Sequence, residues 1–127
     1  MAPGTLSKRL QRFITRSISS VEQIDVLLLL RREPSRPWSA HEISRELRST
    51  PQSIASRLQA LRHHGLLRAD GERYRYDPSK HDDVVAELQE EYDVRRGRVI
   101  EAIFARSIDT MHSFADAFRL GEDDDDR

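Results

Sequence analysis

Residues 38–78 read WSAHEISRELRSTPQSIASRLQALRHHGLLRADGERYRYDP, and the order of local signals in this stretch decides the fold. Ser39 stands three residues before Glu42, the spacing of a capping box in which each side chain satisfies a free backbone N–H at a helix start. Ala40, Ile43 and Leu47 then fall on one face at helical spacing. The helix must stop near Arg48, because Thr50 and Pro51 begin another. Threonine caps, and proline suits the first helical position, where its missing N–H costs nothing. In this second helix Ile54, Leu58 and Leu61 recur at i, i+4 and i+7, leaving Gln52, Ser53, Ser56, Arg57 and Gln59 toward the outside. Gly65, after His63-His64, supplies the left-handed residue that ends it.

Beyond Gly65 the chain alternates, with Asp70-Gly71 separating Leu66–Ala69 from Glu72–Tyr76, a strong short-range hairpin signal. A two-residue turn at Asp70-Gly71 pairs Ala69 with Glu72, Arg68 with Arg73 and Leu67 with Tyr74. Tyr74 and Tyr76 then share one face, and Arg73 and Arg75 the other. Directly opposed arginines destabilise a hairpin on its own. That register makes more sense with a polyanion against the face, although a longer loop would remove the pairing. Helix, tight turn, capped helix, glycine stop and basic hairpin is the order of a winged helix-turn-helix. Such a unit most often places its second helix in the DNA major groove.

The segments Ser39–Leu47, Thr50–Leu61, Gly65-Leu66-Leu67 and the basic hairpin to Tyr76 resemble bacterial winged-helix regulators of the MarR and ArsR type. With the helix Val21–Arg32 added, the resemblance covers residues 20–77. It implies that the helix spanning 50–64 is the recognition helix and that Arg73 and Arg75 touch phosphate or the minor groove. Metal-sensing members often use cysteines. This chain has no cysteine, which puts a thiolate metal sensor out of reach.

A chain of 127 residues holds one domain with extensions and a modest core. The lack of cysteine excludes disulfides and is compatible with a reducing cytoplasm. The longest apolar run, Val26–Leu30, falls far short of the roughly 20 residues that span a bilayer. No secretory signal pattern opens the chain, so a cytoplasmic protein is expected. The net charge of −1 hides an asymmetry. Residues 1–76 carry 14 Lys/Arg against 7 Asp/Glu, net +7, while residues 77–127 carry 7 against 15, net −8. A basic half that contains the reading head is the electrostatic footprint of nucleic-acid binding.

Outside the central stretch, residues 1–19 are expected to form an amphipathic helix. Leu6, Leu10, Phe13, Ile14 and Ile18 sit on one face, with Lys8, Arg9, Arg12 and Arg16 around the rest. Such a helix can lie on a membrane or pack on a partner helix, and the neighbouring domain favours packing. The next helix begins at Ser19 or Ser20, and Val21, Ile24, Leu27, Leu28 and Leu30 assign it to the core. Trp38 is expected as a core or hinge aromatic at the start of a short strand. Residues 78–120 read as helical, with Gly97 as a possible bend or break. Val85, Leu88, Tyr92 and Val99 form one stripe, and Ile100, Phe104, Ile108, Met111, Ala115 and Phe118 a second. A small core cannot cover a stripe that long, so the region is expected to form a two-fold dimer through Ile100, Phe104, Ile108, Met111 and Phe118, the alternative being that its helices fold back on their own domain. Residues 121–127 are expected as a disordered acidic tail.

No constellation for catalysis or metal binding survives inspection. No histidine pair has the i, i+4 spacing of a helical metal site, and no phosphate loop or nucleophile elbow is present. The expectation is therefore a mainly α protein with a small β-hairpin (α+β), a winged helix-turn-helix with N- and C-terminal helical extensions, neither an enzyme nor a cofactor carrier. Its expected partners are double-stranded DNA and a second copy of itself, with no membrane and an effector that the sequence does not name. Gln52, Ser53, Ser56 and Arg57 are expected at base edges, and Arg48, Thr50, Arg68, Arg73 and Arg75 at phosphates. The alternative is the same fold used for protein–protein assembly.

Overall fold

A computed structural model describes residues 6–105, and four of its helices start on a hydroxyl side chain. Ser7 caps α1 (Lys8–Ser17), Ser20 caps α2 (Val21–Arg32), Ser39 caps α3 (Ala40–Leu47) and Thr50 caps α4 (Pro51–His63). Each hydroxyl accepts from the N–H three residues on, satisfying a donor that has no partner within the helix. The box at Ser39 is reciprocal, with Glu42 accepting from the Ser39 N–H at 2.9 Å. At α2 the residue three beyond the cap acts differently. Gln23, only 1% exposed, reaches back to the Ser19 N–H and donates to the Ser17 carbonyl, clamping the α1–α2 link.

The turn between α3 and α4 is Arg48-Ser49-Thr50, with Arg48 in the left-handed region at φ 55° and ψ 48°. At the far end of α4, Gly65 takes φ 79°. Its N–H donates to the Arg62 carbonyl, and the Leu66 N–H to that of Leu61, which is the paired bonding of a Schellman stop.

β1 (Leu67–Asp70) and β2 (Arg73–Tyr76) pair antiparallel, with Leu67 opposite Tyr76, Arg68 opposite Arg75, Ala69 opposite Tyr74 and Asp70 opposite Arg73. This corrects the register expected from Asp70-Gly71. The turn residues are Gly71-Glu72, and Gly71 has φ 65° at the first central position, the sign a type II′ turn requires there. A two-residue slip along β2 keeps every side chain on its face. Tyr74 and Tyr76 therefore still share one face, which packs on the core, and Arg73 and Arg75 the other. The outer edge of β2 is held by Trp38, whose backbone exchanges two 2.8 Å hydrogen bonds with Tyr74.

The core is continuous. Leu10, Ile14 and Ile18 of α1 and its flank, Ile24, Leu27 and Leu30 of α2, Ile43 of α3, Ile54, Leu58 and Leu61 of α4, and Leu88 of α5 (Asp82–Val94) are all closed to solvent. Truncating any one of these to alanine costs about 2–5 kcal/mol. The apolar side of α1 is thus covered within the chain by α5, where Glu87 accepts from Ser7 at 2.5 Å and from Arg9 at 2.9 Å. Asp82, at the start of α5, accepts from the Tyr76 hydroxyl at 2.6 Å and from Arg31 at 3.2 Å, tying the hairpin and α2 to the same helix. The helical region read over 78–120 is interrupted, but not at Gly97: α5 breaks at Arg95 (φ −131°, ψ 54°), and Gly97 lies inside the following helical run, 96–105. Among the described residues no helix is long and apolar enough to cross a membrane.

Candidate nucleic-acid interface

Burial of Ile54, Leu58 and Leu61 fixes the rotation of α4 about its axis. The side turned to solvent then carries Gln52, Ser56, Gln59, Arg62 and His63, all exposed and none aliphatic. Of the expected base-contacting residues, Gln52 and Ser56 stand on this side. Ser53 and Arg57 occupy its flank and are half-buried against α2.

There they meet Glu22. One carboxylate oxygen accepts from Arg57 Nε at 3.0 Å and from the Ser53 hydroxyl, and the other accepts from the Ser49 hydroxyl at 2.6 Å. Burial works to raise the Glu22 pKa, but the bonds from Ser49, Ser53 and Arg57 outweigh it and hold the carboxyl below its ordinary value. The group is therefore ionised at neutral pH. Arg57 uses only Nε here; among the described residues its two terminal nitrogens make no hydrogen bond.

The expected backbone set divides in the same way. Arg48 and Thr50 are exposed in the turn ahead of α4. Arg68, Arg73 and Arg75 share the outer face of the hairpin, where Arg68 lies 3.5 Å from Asp77 and Arg73 is paired with Glu42. Arg75 is half-buried, and its Nε has no partner. Glu42 serves three groups at once: the Ser39 N–H, Arg73 and, at 3.9 Å, Arg36, whose guanidinium lies 3.6 Å over the Trp38 ring. The bond from the Ser39 backbone, then the charge and hydrogen bond of Arg73, keep its carboxyl below the usual range despite some desolvation.

Gln59, read from the sequence as outward-facing, does stand on the exposed side of α4 together with Arg62, although neither was among the expected base contacts. Glu22 left no local signal, because its three partners lie 27, 31 and 35 residues away.

A concavity of about 550 Å³ lies between α1 and the start of α5, with Arg9, Arg12, Arg16, Lys80 and His81 in its walls. Asp83 in the same wall and Glu87 on Arg9 offset part of that charge. Among the described residues no group of three His, Asp or Glu side chains could hold a metal ion. Of the expected dimer residues, Ile100 is half-buried and Phe104 is 62% exposed; Val99 and Ile103 of the same run turn into the core. Ile108, Met111 and Phe118, with the acidic tail, lie outside the described residues.

A comparison with known protein families, with curated proteins and with solved structures found no match.

Proposed function

We propose that the chain is a sequence-selective DNA-binding regulator of transcription. It acts as a winged helix-turn-helix of the MarR/ArsR kind, with α3 and α4 as the helix pair and the β1–β2 hairpin as the wing. The observation that carries this reading is the chemistry of one surface. The solvent side of α4 offers amide, hydroxyl and guanidinium groups without an aliphatic side chain, and the adjoining hairpin face displays three arginines. Amides and guanidiniums match the adenine and guanine edges of the major groove. Arg48, Thr50, Arg68, Arg73 and Arg75 supply phosphate contacts, which fix position and not sequence.

The functional unit in this reading is a homodimer in the cytoplasm, joined through residues after the break at Arg95, and its operator is pseudo-palindromic with half-sites about one helical turn apart. Exposed Phe104 supports a contact there, since a large apolar side chain left in water marks an interface when it joins a wider patch. A second reading, a winged helix that assembles with another protein, draws support from Glu22 and Glu42, which compensate Arg57 and Arg73 inside the chain.

Salt separates the two. Binding to duplex DNA through several phosphates falls steeply as salt rises from about 50 to 200 mM. Retention of a labelled duplex with no salt dependence, or no retention at 50 mM, overturns the DNA reading.

A further inference from the structure

We infer that Glu22 is a positioning residue that sets sequence specificity, holding Arg57 by its Nε so that the terminal nitrogen pair is presented to a guanine edge. The inference rests on the DNA-binding reading above and deepens it. Guanine offers O6 and N7 as paired acceptors in the major groove, and the fork of an arginine matches them with two parallel N–H bonds. A long side chain free to rotate loses much of that match to rotamer entropy. Here the guanidinium is fixed by one bond at Nε, 3.0 Å, and the end-on fork makes no bond among the described residues.

Glu22 is itself fixed. The Ser49 hydroxyl holds one oxygen from the α3–α4 turn, and the Ser53 hydroxyl holds the other from the first turn of α4. The carboxylate therefore ties three segments of the reading head into one unit: α2, the turn, and α4. It stays ionised because its three donors favour the charged form over the cost of partial burial. A fixed negative charge near a duplex weakens phosphate attraction for every sequence alike. Glu22 thus gives up general affinity in exchange for orientation. Its removal is expected to move the two quantities in opposite directions, whereas a merely structural role lowers both.

The test measures anisotropy of labelled duplexes at physiological salt. The probes are the sequence that the full chain enriches from a randomised pool and a set of its single base-pair variants. The proteins are wild type, Glu22→Ala, Glu22→Gln, Arg57→Ala and the Glu22→Ala/Arg57→Ala pair, each checked for folding by thermal melting. Arg57→Ala is expected to lose roughly tenfold of discrimination at one guanine position. Glu22→Ala is expected to lose a comparable factor at that same position, with random-sequence affinity equal or stronger and no further loss in the double variant. Should Glu22→Ala melt too low to assay, the isosteric Glu22→Gln, which removes the charge and keeps an acceptor, is expected to lose part of the same discrimination. Full discrimination in the Glu22 variants, or losses that simply add in the double variant, overturns the inference and leaves the DNA reading standing. A wild-type chain that enriches no sequence overturns both.

Discussion

Removal of the Arg73 side chain tests the proposed DNA contact of the hairpin most sharply, because its effect on salt dependence can be worked out in advance. Each phosphate neutralised on B-DNA contributes a slope of about −0.9 to log K against log salt. Between about 50 and 200 mM a single contact therefore accounts for roughly a 3.5-fold loss of affinity, and three for roughly fortyfold. Arg73 is 48% exposed on the hairpin's outer face, next to Arg68 at 52%, so Arg73→Ala is expected to reduce the slope by about one contact. The loss falls on all duplexes nearly equally, since phosphate contacts carry no base information. Arg73 is also the closer cationic partner of Glu42, and its removal leaves that carboxylate with Arg36 at 3.9 Å. Glu42→Gln supplies the converse. Glutamine keeps the reciprocal cap on Ser39 while deleting the charge, so binding to every sequence is expected to tighten without loss of helix signal. Fluorescence anisotropy over a salt series, with circular dichroism as the control, reads both variants. A slope unchanged in Arg73→Ala, or a loss confined to one sequence, refutes the reasoning.

Other consequences follow from the packing and the charges. Gly97→Ala is expected to stabilise the chain by about 0.5–1 kcal/mol, seen as a thermal midpoint a few degrees higher, because the residue is helical and an added Cβ meets nothing within 4 Å; a lower midpoint contradicts this. Stability is expected to fall in acid. Glu22 and Glu87 are held below their ordinary value near 4.5, so the stability they add is complete above it and lost as pH drops through their lower folded values. Glu87→Gln should flatten that acid limb in urea titrations, and an unaltered limb argues against the Glu87 contacts to Ser7 and Arg9. At the other extreme, burial and the bond to Asp25 push the Tyr92 hydroxyl up to about 12, so its contribution is present at neutral pH and fades as pH rises from 10 toward 12; Tyr92→Phe removes that dependence. Phe104→Glu is expected to shift sedimentation at micromolar concentration toward the monomer, and a wild-type chain that already sediments as a monomer removes the dimer.

Much of the frame was legible because it is written in local chemistry. Ser39 and Glu42, Thr50 with Pro51, and Gly65 each act within three or four residues, and each cap or stop stands where the sequence placed it. The buried stripe of α4 was likewise readable from spacing alone, and it fixes which side of that helix meets solvent. The hairpin register was not. Asp70-Gly71 satisfies a turn with left-handed residues at both centres, yet the chain turns at Gly71-Glu72, with β2 held from its far edge by Trp38. That edge contact spans more than 30 residues of chain and leaves no periodicity to read. The break read at Gly97 falls at Arg95 instead for a related reason: glycine is the obvious weak point, but Arg95 lies where Tyr92 and Val99 both turn into the core. The Glu22 cluster depends wholly on tertiary packing. Ser53 and Arg57 looked like outward-facing polar residues until α2 supplied the carboxylate that they bind.

The central claim, that the solvent side of α4 reads base edges while the hairpin arginines hold the backbone, is met most directly by selection from randomised duplex DNA at physiological salt. The account predicts an enriched sequence arranged as two inverted half-sites about ten base pairs apart, its purine preferences altered by changes at Gln52 or Arg57 and left intact by Arg73→Ala. A pool that leaves the selection as random as it entered contradicts it.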